Sequence, residues 1–374
     1  MKVDKSKWKK KALGEVCNLY QPKTISKNCL DSNGKYLVYG ANGVIGKYNE
    51  YNHEFPEVLI TCRGATCGMV NISKAFSWIN GNAMVVHPKE EKLFNFAFLE
   101  KAVTAIDYRK VITGAAQPQI TRANLQKVII LIPPFYEQRT IATELDAIQS
   151  IIDGYKAQIA DLDVLAQSIF HKMFGNVSNN NRCWNIVPMG NLGNFKNGIN
   201  YNKGEKGEAL KIIGVGDFKS IKNLSSFENI PLIEVANISD EYLLHNGDII
   251  FVRSNGNKNL VGRCMEVYPN DTTVSFSGFC IRFRKSVDIV NKYLIALLTD
   301  EEFKKSHVLK SKGIGIQNIN QKLLSNLPIP CPPMSLQHHF ATQISAIEKQ
   351  KEQYRAQLKD AETLMAERMQ YYFS

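Results

Sequence analysis

Residues 133–174 read PPFYEQRTIATELDAIQSIIDGYKAQIADLDVLAQSIFHKMF, and this stretch decides the organisation of the chain. After the pairs Pro133-Pro134 and Glu137-Gln138, apolar residues recur in alternating steps of four and three positions. The apolar ladder consists of Ile141, Leu145, Ile148, Ile152, Tyr155, Ile159, Leu162, Ala166, Ile169 and Met173. A period of 3.5 residues is typical of a coiled-coil seam and predicts a long helix that packs on another helix.

The same pattern returns 199 residues later, after Pro332-Pro333 and Gln337. Only Lys351 and Arg368 interrupt it, and its apolar positions are Phe340, Ile344, Ile347, Tyr354, Leu358, Ala361, Met365 and Tyr372. A repeat of this size has to be settled before a fold is assigned. It predicts two similar halves, each a globular segment followed by a long helix.

We therefore predict an α/β protein with two similar globular modules joined by two long antiparallel coiled-coil helices, related by a pseudo-twofold internal repeat. A coiled coil between two separate chains is the alternative to pairing within one chain. The predicted boundaries are residues 1–136 for the first module, 137–174 for the first helix, 175–182 for a linker, 183–336 for the second module and 337–374 for the second helix.

The net charge of +11 is concentrated on the globular segments. Residues 1–136 contain 19 basic and 10 acidic side chains, and residues 183–336 contain 18 and 14. This distribution suggests a polyanionic partner, most often nucleic acid. No apolar run reaches 18 residues, and none follows the lysines at the N-terminus. We therefore expect a cytoplasmic protein without a signal peptide or a membrane span.

No motif in the chain predicts catalysis: neither a GxxxxGK[ST] phosphate loop nor an HExxH metal pair occurs. The glycines of Tyr36–Tyr51 resemble a dinucleotide fingerprint, but no amphipathic helix follows them. A hairpin loop that carries Asn42, Lys47 and Tyr48 is the preferred interpretation. Because Cys62 and Cys67 lack a CxxC spacing, free thiols are preferred over a zinc site.

Both modules show a strand, a polar glycine-containing loop and a second strand. In the first module the strands are Val58–Thr61 and Met84–His87, and in the second they are Asp248–Arg253 and Cys280–Arg284. Helical patterns over 91–112 and 288–310 follow, and each leads to a glycine turn with a polar cluster, at Gly114–Ile120 and Gly313–Ile319. We expect each module to display its polar loops on a strand platform.

The duplicated order of module, Pro-Pro pair and long helix resembles the DNA-specificity subunit of a type I restriction–modification enzyme. Trp8–Val16, Gly114–Ile120 and Pro133–Gln138 resemble the start and end of that family's target-recognition domains. The second copy departs from the pattern, with Ser335-Leu336 where the first has Tyr136-Glu137. The resemblance covers essentially the whole chain and implies a subunit that does no chemistry itself.

Further implications of the resemblance concern partners and cofactors. Such a subunit would recruit two adenine-methylating modification subunits and two ATP-driven translocase/nuclease subunits. These partners would use S-adenosylmethionine, ATP and Mg²⁺, and no cofactor is expected in this chain. Each module would read one half of a split, asymmetric site in double-stranded DNA, and the antiparallel helices would set the gap.

Basic side chains around the modules are expected to contact phosphates, and Arg, Asn, Gln and Lys on the loops to contact base edges. No catalytic residue or metal ligand is predicted. The candidate DNA-contacting residues are Asn42, Lys47, Arg63, Gln117, Gln119 and Arg122 in the first module and Arg253, Asn255, Asn257, Lys258, Lys312, Gln317 and Asn318 in the second.

Two other classes of function remain open at this stage. One is a self-sufficient DNA methyltransferase or nuclease with an unrecognised active site, which the missing nucleotide and metal motifs disfavour. The other is a scaffold that binds RNA or protein. Methyl transfer by the purified chain alone would distinguish the enzyme from the binding subunit. The target bases do not follow from the sequence, because direct readout depends on side-chain placement.

Overall fold

The computed structural model describes residues 3–90, 92–114, 117–201, 207–218, 223–235, 238–257, 260–308 and 318–374. Contacts between residues divide the chain into two compact units. Unit 1 comprises Met1–Lys156 together with Arg355–Ser374, and unit 2 is Ala157–Tyr354. Each unit thus combines one module with parts of both long helices, and the sharper module boundaries at 136 and 183 stay a prediction.

The elements of the first module are short strands and helices. They are β1 (Lys9–Ala12), α1 (Leu13–Val16), β2 (Cys17–Tyr20), β3 (Tyr36–Gly40), β4 (Gly43–Tyr48), β5 (Val58–Thr61), β6 (Val70–Ile72), β7 (Trp78–Ile79), β8 (Ala83–Pro88), α2 (Phe96–Thr104), α3 (Arg122–Leu125) and β9 (Ile129–Ile132). The first long helix, α4, follows as Phe135–Phe174.

The second module repeats this order with longer connections. Its elements are β10 (Asn185–Pro188), β11 (Gly193–Asn197), β12 (Glu208–Ile213), β13 (Asn223–Leu224), β14 (Leu232–Val235), β15 (Asp248–Val252), β16 (Cys264–Val267), β17 (Val274–Phe276), β18 (Cys280–Lys285), α5 (Asn291–Thr299), α6 (Glu301–Phe303), α7 (Gln321–Ser325) and β19 (Pro328–Cys331). The second long helix, α8, is Met334–Phe373.

The sheets of the two units correspond strand by strand, apart from the additional edge strand β13 of unit 2. Unit 1 contains the orders β2-β8-β5-β6 and β4-β3-β7, and unit 2 contains β11-β18-β15-β16-β13 and β14-β12-β17. In both three-stranded sheets one pair is parallel, β3 with β7 and β12 with β17. A two-stranded sheet, β1-β9 or β10-β19, completes each unit. The predicted α/β fold with an internal repeat is therefore confirmed.

Most of the extra length of the second module lies in one connection. A two-residue turn at Ala41-Asn42 joins β3 to β4, whereas 214–231 separate β12 from β14. This longer connection contributes β13, the edge strand that extends the five-stranded sheet of unit 2. Insertions are tolerated in connections that run over the surface, because they leave the sheets common to both units unchanged.

The strands form where the sequence is apolar and β-branched. All four residues of β5 and all five of β15 are buried, as expected for central strands that pack on both faces. The helical patterns predicted over 91–112 and 288–310 are realised only in part. Helix α2 begins after Asn95, whose side chain accepts a hydrogen bond from the Phe98 N–H, and it ends at Thr104.

The long helices begin slightly earlier than predicted, directly after the Pro-Pro pairs. The carbonyls of Pro134 and Pro333 accept the first helical hydrogen bonds, from the N–H groups of Gln138 and Gln337 at 3.1 Å each. Each helix contains 40 residues and is about 60 Å long at 1.5 Å per residue. No helix within the described part of the chain is long and apolar enough to cross a membrane.

Within each unit the two long helices run antiparallel. In unit 1, Glu144 contacts Arg368 at 3.1 Å, and Lys156 contacts Glu362 at 3.3 Å. In unit 2, Phe170 packs on Phe340 with ring centroids 5.6 Å apart, and Asp163 pairs with Lys351. In each unit, the contact that involves the higher residue number on α4 involves the lower residue number on α8, as expected for antiparallel helices.

The predicted ladder positions are all withdrawn from solvent. Ile141, Leu145, Ile148, Ile152, Phe340 and Ile347 are buried, and Tyr155, Ile159, Leu162, Ile344, Tyr354 and Leu358 are half-buried. On α4 the first four ladder positions are buried, and the later ones, from Tyr155 to Met173, are half-buried.

A buried glutamine fixes the start of each long helix to its module. The Gln138 carboxamide accepts a hydrogen bond from the Asn95 N–H at 2.8 Å and donates to the carbonyls of Leu93 and Pro133. In unit 2, Gln337 accepts from the Val290 N–H at 3.0 Å and donates to the Pro332 carbonyl. The glutamine that follows the Pro-Pro pair therefore binds the N-terminus of α2 or α5. It thereby fixes the orientation of the long helix to which it belongs, α4 or α8.

The polar segment 175–182, predicted as a linker, is part of unit 2 and packs on its core. The Val177 side chain is only 3% exposed and belongs to the apolar core of that unit. Trp184, which follows the segment, donates its indole N–H to the Phe174 carbonyl at 3.0 Å. The stretch was predicted as a linker because it is polar and rich in glycine and asparagine, and in the structure Val177 contributes to the core of unit 2.

Candidate nucleic-acid interface

In the first module, the segment after β5 and the predicted glycine turn lie side by side. Arg63 and Gln119 form an isolated antiparallel bridge, and the Ile120 N–H donates to the Cys62 carbonyl at 2.9 Å. Gly114 has a φ of +87°, and its N-terminal neighbour Thr113 also pairs with Gln119. Two segments far apart in sequence thus present polar side chains together.

A third loop joins them. Asn42 lies in the turn between β3 and β4, and the Thr61 hydroxyl at the end of β5 donates to the carbonyl of the adjacent Ala41. Asn42, Arg63 and Gln117 are exposed, whereas Gln119 is half-buried. The structure therefore gathers four of the six predicted residues of the first module around the end of β5.

The other two predicted residues of this module lie differently. Lys47 is not in the loop but in β4, where it is paired with Leu37 of β3. It lies five residues beyond Asn42, up to about 17 Å along an extended strand. Arg122 is exposed at the first position of α3, two residues after Ile120. The loop prediction for Lys47 was wrong because the turn contains only two residues.

The second module builds the same arrangement with different side chains. Ser254 and Asn318 form the isolated bridge, and the Ile319 N–H donates to the Arg253 carbonyl at 2.9 Å. Next in this loop, the Asn255 side chain accepts a hydrogen bond from the backbone N–H of Asn257. Asn257 and Asn318 are exposed. Of the remaining predicted residues, Lys258, Lys312 and Gln317 lie outside the described residues.

Arg253 is held in place more firmly than a loop residue usually is. Its backbone N–H donates to the Phe279 carbonyl at 2.8 Å, and its guanidinium donates to the Gly278 carbonyl at 3.3 Å. The residue is half-buried. Arg253 therefore organises the loop around it, and a contact with a base stays a prediction.

Sequence reasoning missed one residue of this cluster, Phe279, which is 62% exposed. In unit 1, the Cys62 N–H donates to the Asn82 carbonyl just as the Arg253 N–H donates to Phe279. Gly81-Asn82 thus corresponds to Gly278-Phe279. Alignment of the two halves around these glycines would have found the position. An exposed ring among polar loops is a residue type that packs against bases.

The two thiols near the first cluster form hydrogen bonds with backbone carbonyls. Burial raises the pKa of the Cys62 thiol to about 11, and its sulfur donates to the Ile60 carbonyl. The Cys67 sulfur donates to the Cys62 carbonyl, and burial also raises its pKa. No group of three or more His, Cys, Asp and Glu side chains is placed to hold a metal ion within the described residues.

The long helices also present apolar side chains to solvent. Leu165 on α4 is 46% exposed, and Leu364 on α8 is 41% exposed. These two leucines occupy equivalent positions of the 199-residue repeat. Ile151 and Val164 on α4 are exposed as well. The outer helix surface of each unit therefore carries an apolar side chain that contributes little to its core.

Comparison with known proteins gives a consistent picture. The family model described as "Type I restriction modification DNA specificity domain" matches residues 5–162 and 181–361. The chain is 25% identical to the type I restriction enzyme StySPI specificity subunit of Salmonella potsdam over 278 residues, which are 69% of this chain and 60% of that protein. It is 28% identical to the EcoprrI specificity subunit of Escherichia coli over 41% of this chain and 39% of that protein. The chain thus aligns with less than two thirds of the length of these relatives.

Solved structures with the same fold cover nearly the whole chain. The S subunit of a type I restriction-modification system from M. genitalium has a TM-score of 0.61 at 15% identity, and the match covers 100% of this chain and 98% of that one. A chain from a structural study of complex assembly and conformational transition of the type I R-M system has a TM-score of 0.57, also at 15% identity and with the same coverage. These likenesses establish the fold.

Proposed function

Because the chain belongs to the family of type I restriction–modification DNA specificity subunits, we propose that it reads a bipartite DNA site for such an enzyme. Each module reads one half of an asymmetric site, and the subunit performs no chemistry itself. The observation that carries the proposal is the matched display of loops. The Arg63–Gln119 bridge in unit 1 and the Ser254–Asn318 bridge in unit 2 bring polar side chains to the same place in both.

The side chains in these clusters suit direct readout of the major groove. Arginine binds guanine with two hydrogen bonds, and asparagine or glutamine binds adenine in the same manner. Arg63, Gln117 and Asn42 supply these groups in the first module, and Asn257 and Asn318 in the second. Lysines and arginines around each cluster bind phosphates and position the module without reading sequence.

The long helices set the distance between the two half-sites. A helix of 40 residues is about 60 Å long, and base pairs are spaced about 3.4 Å apart. Seam contacts within each unit keep the helices paired. The number of unread base pairs between the half-sites therefore follows from helix length.

The same helices recruit the enzymatic subunits. Leu165 and Leu364 lie exposed at repeated positions, so one type of partner can bind in two equivalent ways. We assign these places to two modification subunits, and two translocase/nuclease subunits join the complex. S-adenosylmethionine, ATP and Mg²⁺ belong to the partners. Cellular DNA as the substrate puts the complex in the cytoplasm.

Methylation sequencing of DNA from cells that express the chain with its modification subunits tests the proposal. The expected result is adenine methylation at one split sequence, and none when the chain is omitted. Insertion of one heptad near Asp161 adds about 10 Å of helix. The gap then grows by up to about three base pairs while both half-sequences stay the same. A change of bases without a change of spacing would contradict the spacer role.

Two further measurements separate the alternatives. Affinity of the assembled complex for DNA is expected to fall steeply with salt, because the basic modules displace counterions. Incubation of the purified chain alone with S-adenosylmethionine and duplex DNA is expected to give no methyl transfer. Methylation by the chain alone would make it a self-sufficient methyltransferase.

A further inference from the structure

The turns Asn80–Ala83 and Ser277–Cys280 occupy the same place in the two units. Each leads from a strand of the three-stranded sheet, β7 or β17, into a strand of the larger sheet, β8 or β18. Each is closed by a hydrogen bond from its last N–H to its first carbonyl, at 3.0 Å in unit 1 and 2.8 Å in unit 2. The third residue of the turn is Asn82 in unit 1 and Phe279 in unit 2, and both residues are exposed.

In unit 1, neighbouring segments bind the main chain of this turn. The Gly81 N–H donates to the Thr24 hydroxyl at 3.1 Å, and the Gly81 carbonyl accepts a hydrogen bond from the Gln21 carboxamide at 2.8 Å. The Asn82 carbonyl accepts a hydrogen bond from the Cys62 N–H at 3.3 Å. The main chain at the third turn residue is therefore fixed next to the loop that follows β5.

In unit 2, the same main-chain groups are bound by other partners. The Gly278 N–H donates to the Ile199 carbonyl at 2.7 Å. Arg253 donates from its guanidinium to the Gly278 carbonyl at 3.3 Å and from its backbone N–H to the Phe279 carbonyl at 2.8 Å. The hydrogen bonds that position the turn are therefore repeated in the two units, whereas the exposed side chain at its third position is different.

The exposed residues beside these turns carry groups that suit base edges. Arg63 directly follows the residue that binds the Asn82 carbonyl, and Asn257 lies in the loop that begins at Arg253; both are exposed. Asparagine itself binds an adenine edge with two hydrogen bonds. Because the two turns have the same main-chain contacts, Phe279 presents a ring at the position where unit 1 presents a carboxamide.

We propose that the third turn residue selects the base at one position of each half-site, and that Phe279 reads a thymine through its C5-methyl group. This inference rests on the DNA-reading function proposed above. The thymine methyl is the apolar group that base pairs display in the major groove. A phenyl ring has no hydrogen-bonding group, so at a base edge it is matched by this methyl group. Asn82, at the equivalent place in the first module, selects adenine.

Deoxyuridine substitution tests the methyl contact in the complex of the full chain with its modification subunits. Each thymine of the split site is replaced in turn, which removes one methyl group and keeps the hydrogen-bonding groups. At one position we expect affinity to fall about fourfold, the factor for one buried methyl group, and Phe279→Ala to bind both DNAs equally. Val287→Ala, an exposed apolar position beyond the opposite end of β18, is the control and should keep the fourfold difference. A deoxyuridine effect that persists in Phe279→Ala, or no effect at any thymine, would overturn the proposal.

A second measurement exchanges the two side chains and uses methylation sequencing. Phe279→Asn is expected to change the selected base from thymine to adenine at one position, and Asn82→Phe to make the reverse change in the other half-site. Both residues are exposed, so the melting temperatures should stay the same. An unchanged split site in both variants would overturn this inference alone, whereas a wild-type complex that methylates no split site would refute the proposed function as well.

Discussion

At the start of β5 in unit 1, the buried carboxylate of Glu57 meets the ring of His87 on β8, with Nδ1 2.9 Å from Oε1. At the same place in unit 2, the buried carboxylate of Asp248 receives two hydrogen bonds from Arg284 on β18, at 2.8 and 2.7 Å. Both residues of the pair differ, yet a compensated carboxylate is present in both units. The backbone architecture that the two units share thus requires a partner for the buried carboxylate, but it does not require a particular residue as that partner.

The displayed loops differ in the same manner. The Cys62 and Arg253 carbonyls accept equivalent hydrogen bonds, from the N–H groups of Ile120 and Ile319. The same main-chain hydrogen bonds recur in both loops, so the side chains that point outward do not have to be the same. The difference between the units shows what the repeat preserves: backbone contacts are repeated, and side chains at the loops are replaced.

The most severe way to break the symmetry is a charge in the helix seam. Ile141 and Phe340 are fully buried at equivalent positions, in unit 1 and unit 2 respectively. Ile141→Asp is expected to cost several kcal/mol in unit 1, because an unpaired carboxylate is buried. Hydrogen exchange should show unfolding of unit 1 with unit 2 protected, and Phe340→Asp the reverse. Thr140→Asp, at an exposed position, is the control.

A smaller effect is expected from the two buried glutamines. Gln138→Ala leaves three backbone groups without their partner, at about 1–3 kcal/mol for each group that stays buried and unsatisfied. Gln337→Ala removes two hydrogen bonds. We therefore expect the larger loss of unfolding free energy in Gln138→Ala, measured by urea denaturation. Equal losses of unfolding free energy in the two variants would show that the third hydrogen bond of Gln138 adds no stability.

Base readout provides the third comparison. Arg63→Ala is expected to relax specificity at one base pair of one half-site, by about 1–3 kcal/mol, with little change in stability because Arg63 is exposed. Asn257→Ala is the matched change in the second module. Methylation sequencing of both variants should show that each alters a different half-site. A single variant that alters both half-sites would contradict independent reading.

The smallest expected effect is the pH dependence of unit 1 stability, which involves the Glu57–His87 pair. Burial raises the pKa of the Glu57 carboxyl, and the hydrogen bond with His87 opposes this shift. A carboxyl with a raised folded pKa contributes stability that is complete below its unfolded pKa of about 4.3 and is lost as the pH rises through the folded pKa. Unit 1 should therefore lose stability over this interval.

The variant His87→Arg sharpens this test because it gives unit 1 the cation found in unit 2. Arginine keeps its charge at all pH values used for proteins and binds a carboxylate with two hydrogen bonds. The pH profile of unit 1 stability, measured by calorimetry, is expected to become flatter. An unchanged profile in both His87→Arg and Glu57→Gln would assign the pH dependence to other groups.

The sequence predicts this architecture well where it shows a regular spacing of apolar residues or an internal repeat. The ladder from Ile141 to Met173 places the first long helix within two residues, because a seam imposes its period on every turn. The strands Val58–Thr61 and Asp248–Val252 were found because central strands are continuously apolar. The repeat itself predicted two related units.

The site was predictable only in its residue types. Asn42 and Arg63 were identified from their loops, but their convergence with Gln119 depends on pairings between distant segments. Lys47 was misplaced because a two-residue turn and a longer loop share the same glycines. Phe279 was missed because nothing in the sequence of the second module alone indicates that this aromatic side chain is exposed. The match of Glu57·His87 with Asp248·Arg284 requires the three-dimensional register.

The interleaved composition of the units has a consequence for the order in which the protein folds. Unit 2 is one continuous segment, so its contacts can form as soon as residue 354 has left the ribosome. Unit 1 needs Tyr372, which is fully buried in the core that contains Trp8. Closing a loop of more than 360 residues makes such contacts late. The first module to be synthesised is therefore the last to be completed, and a nascent chain exposes its core until then.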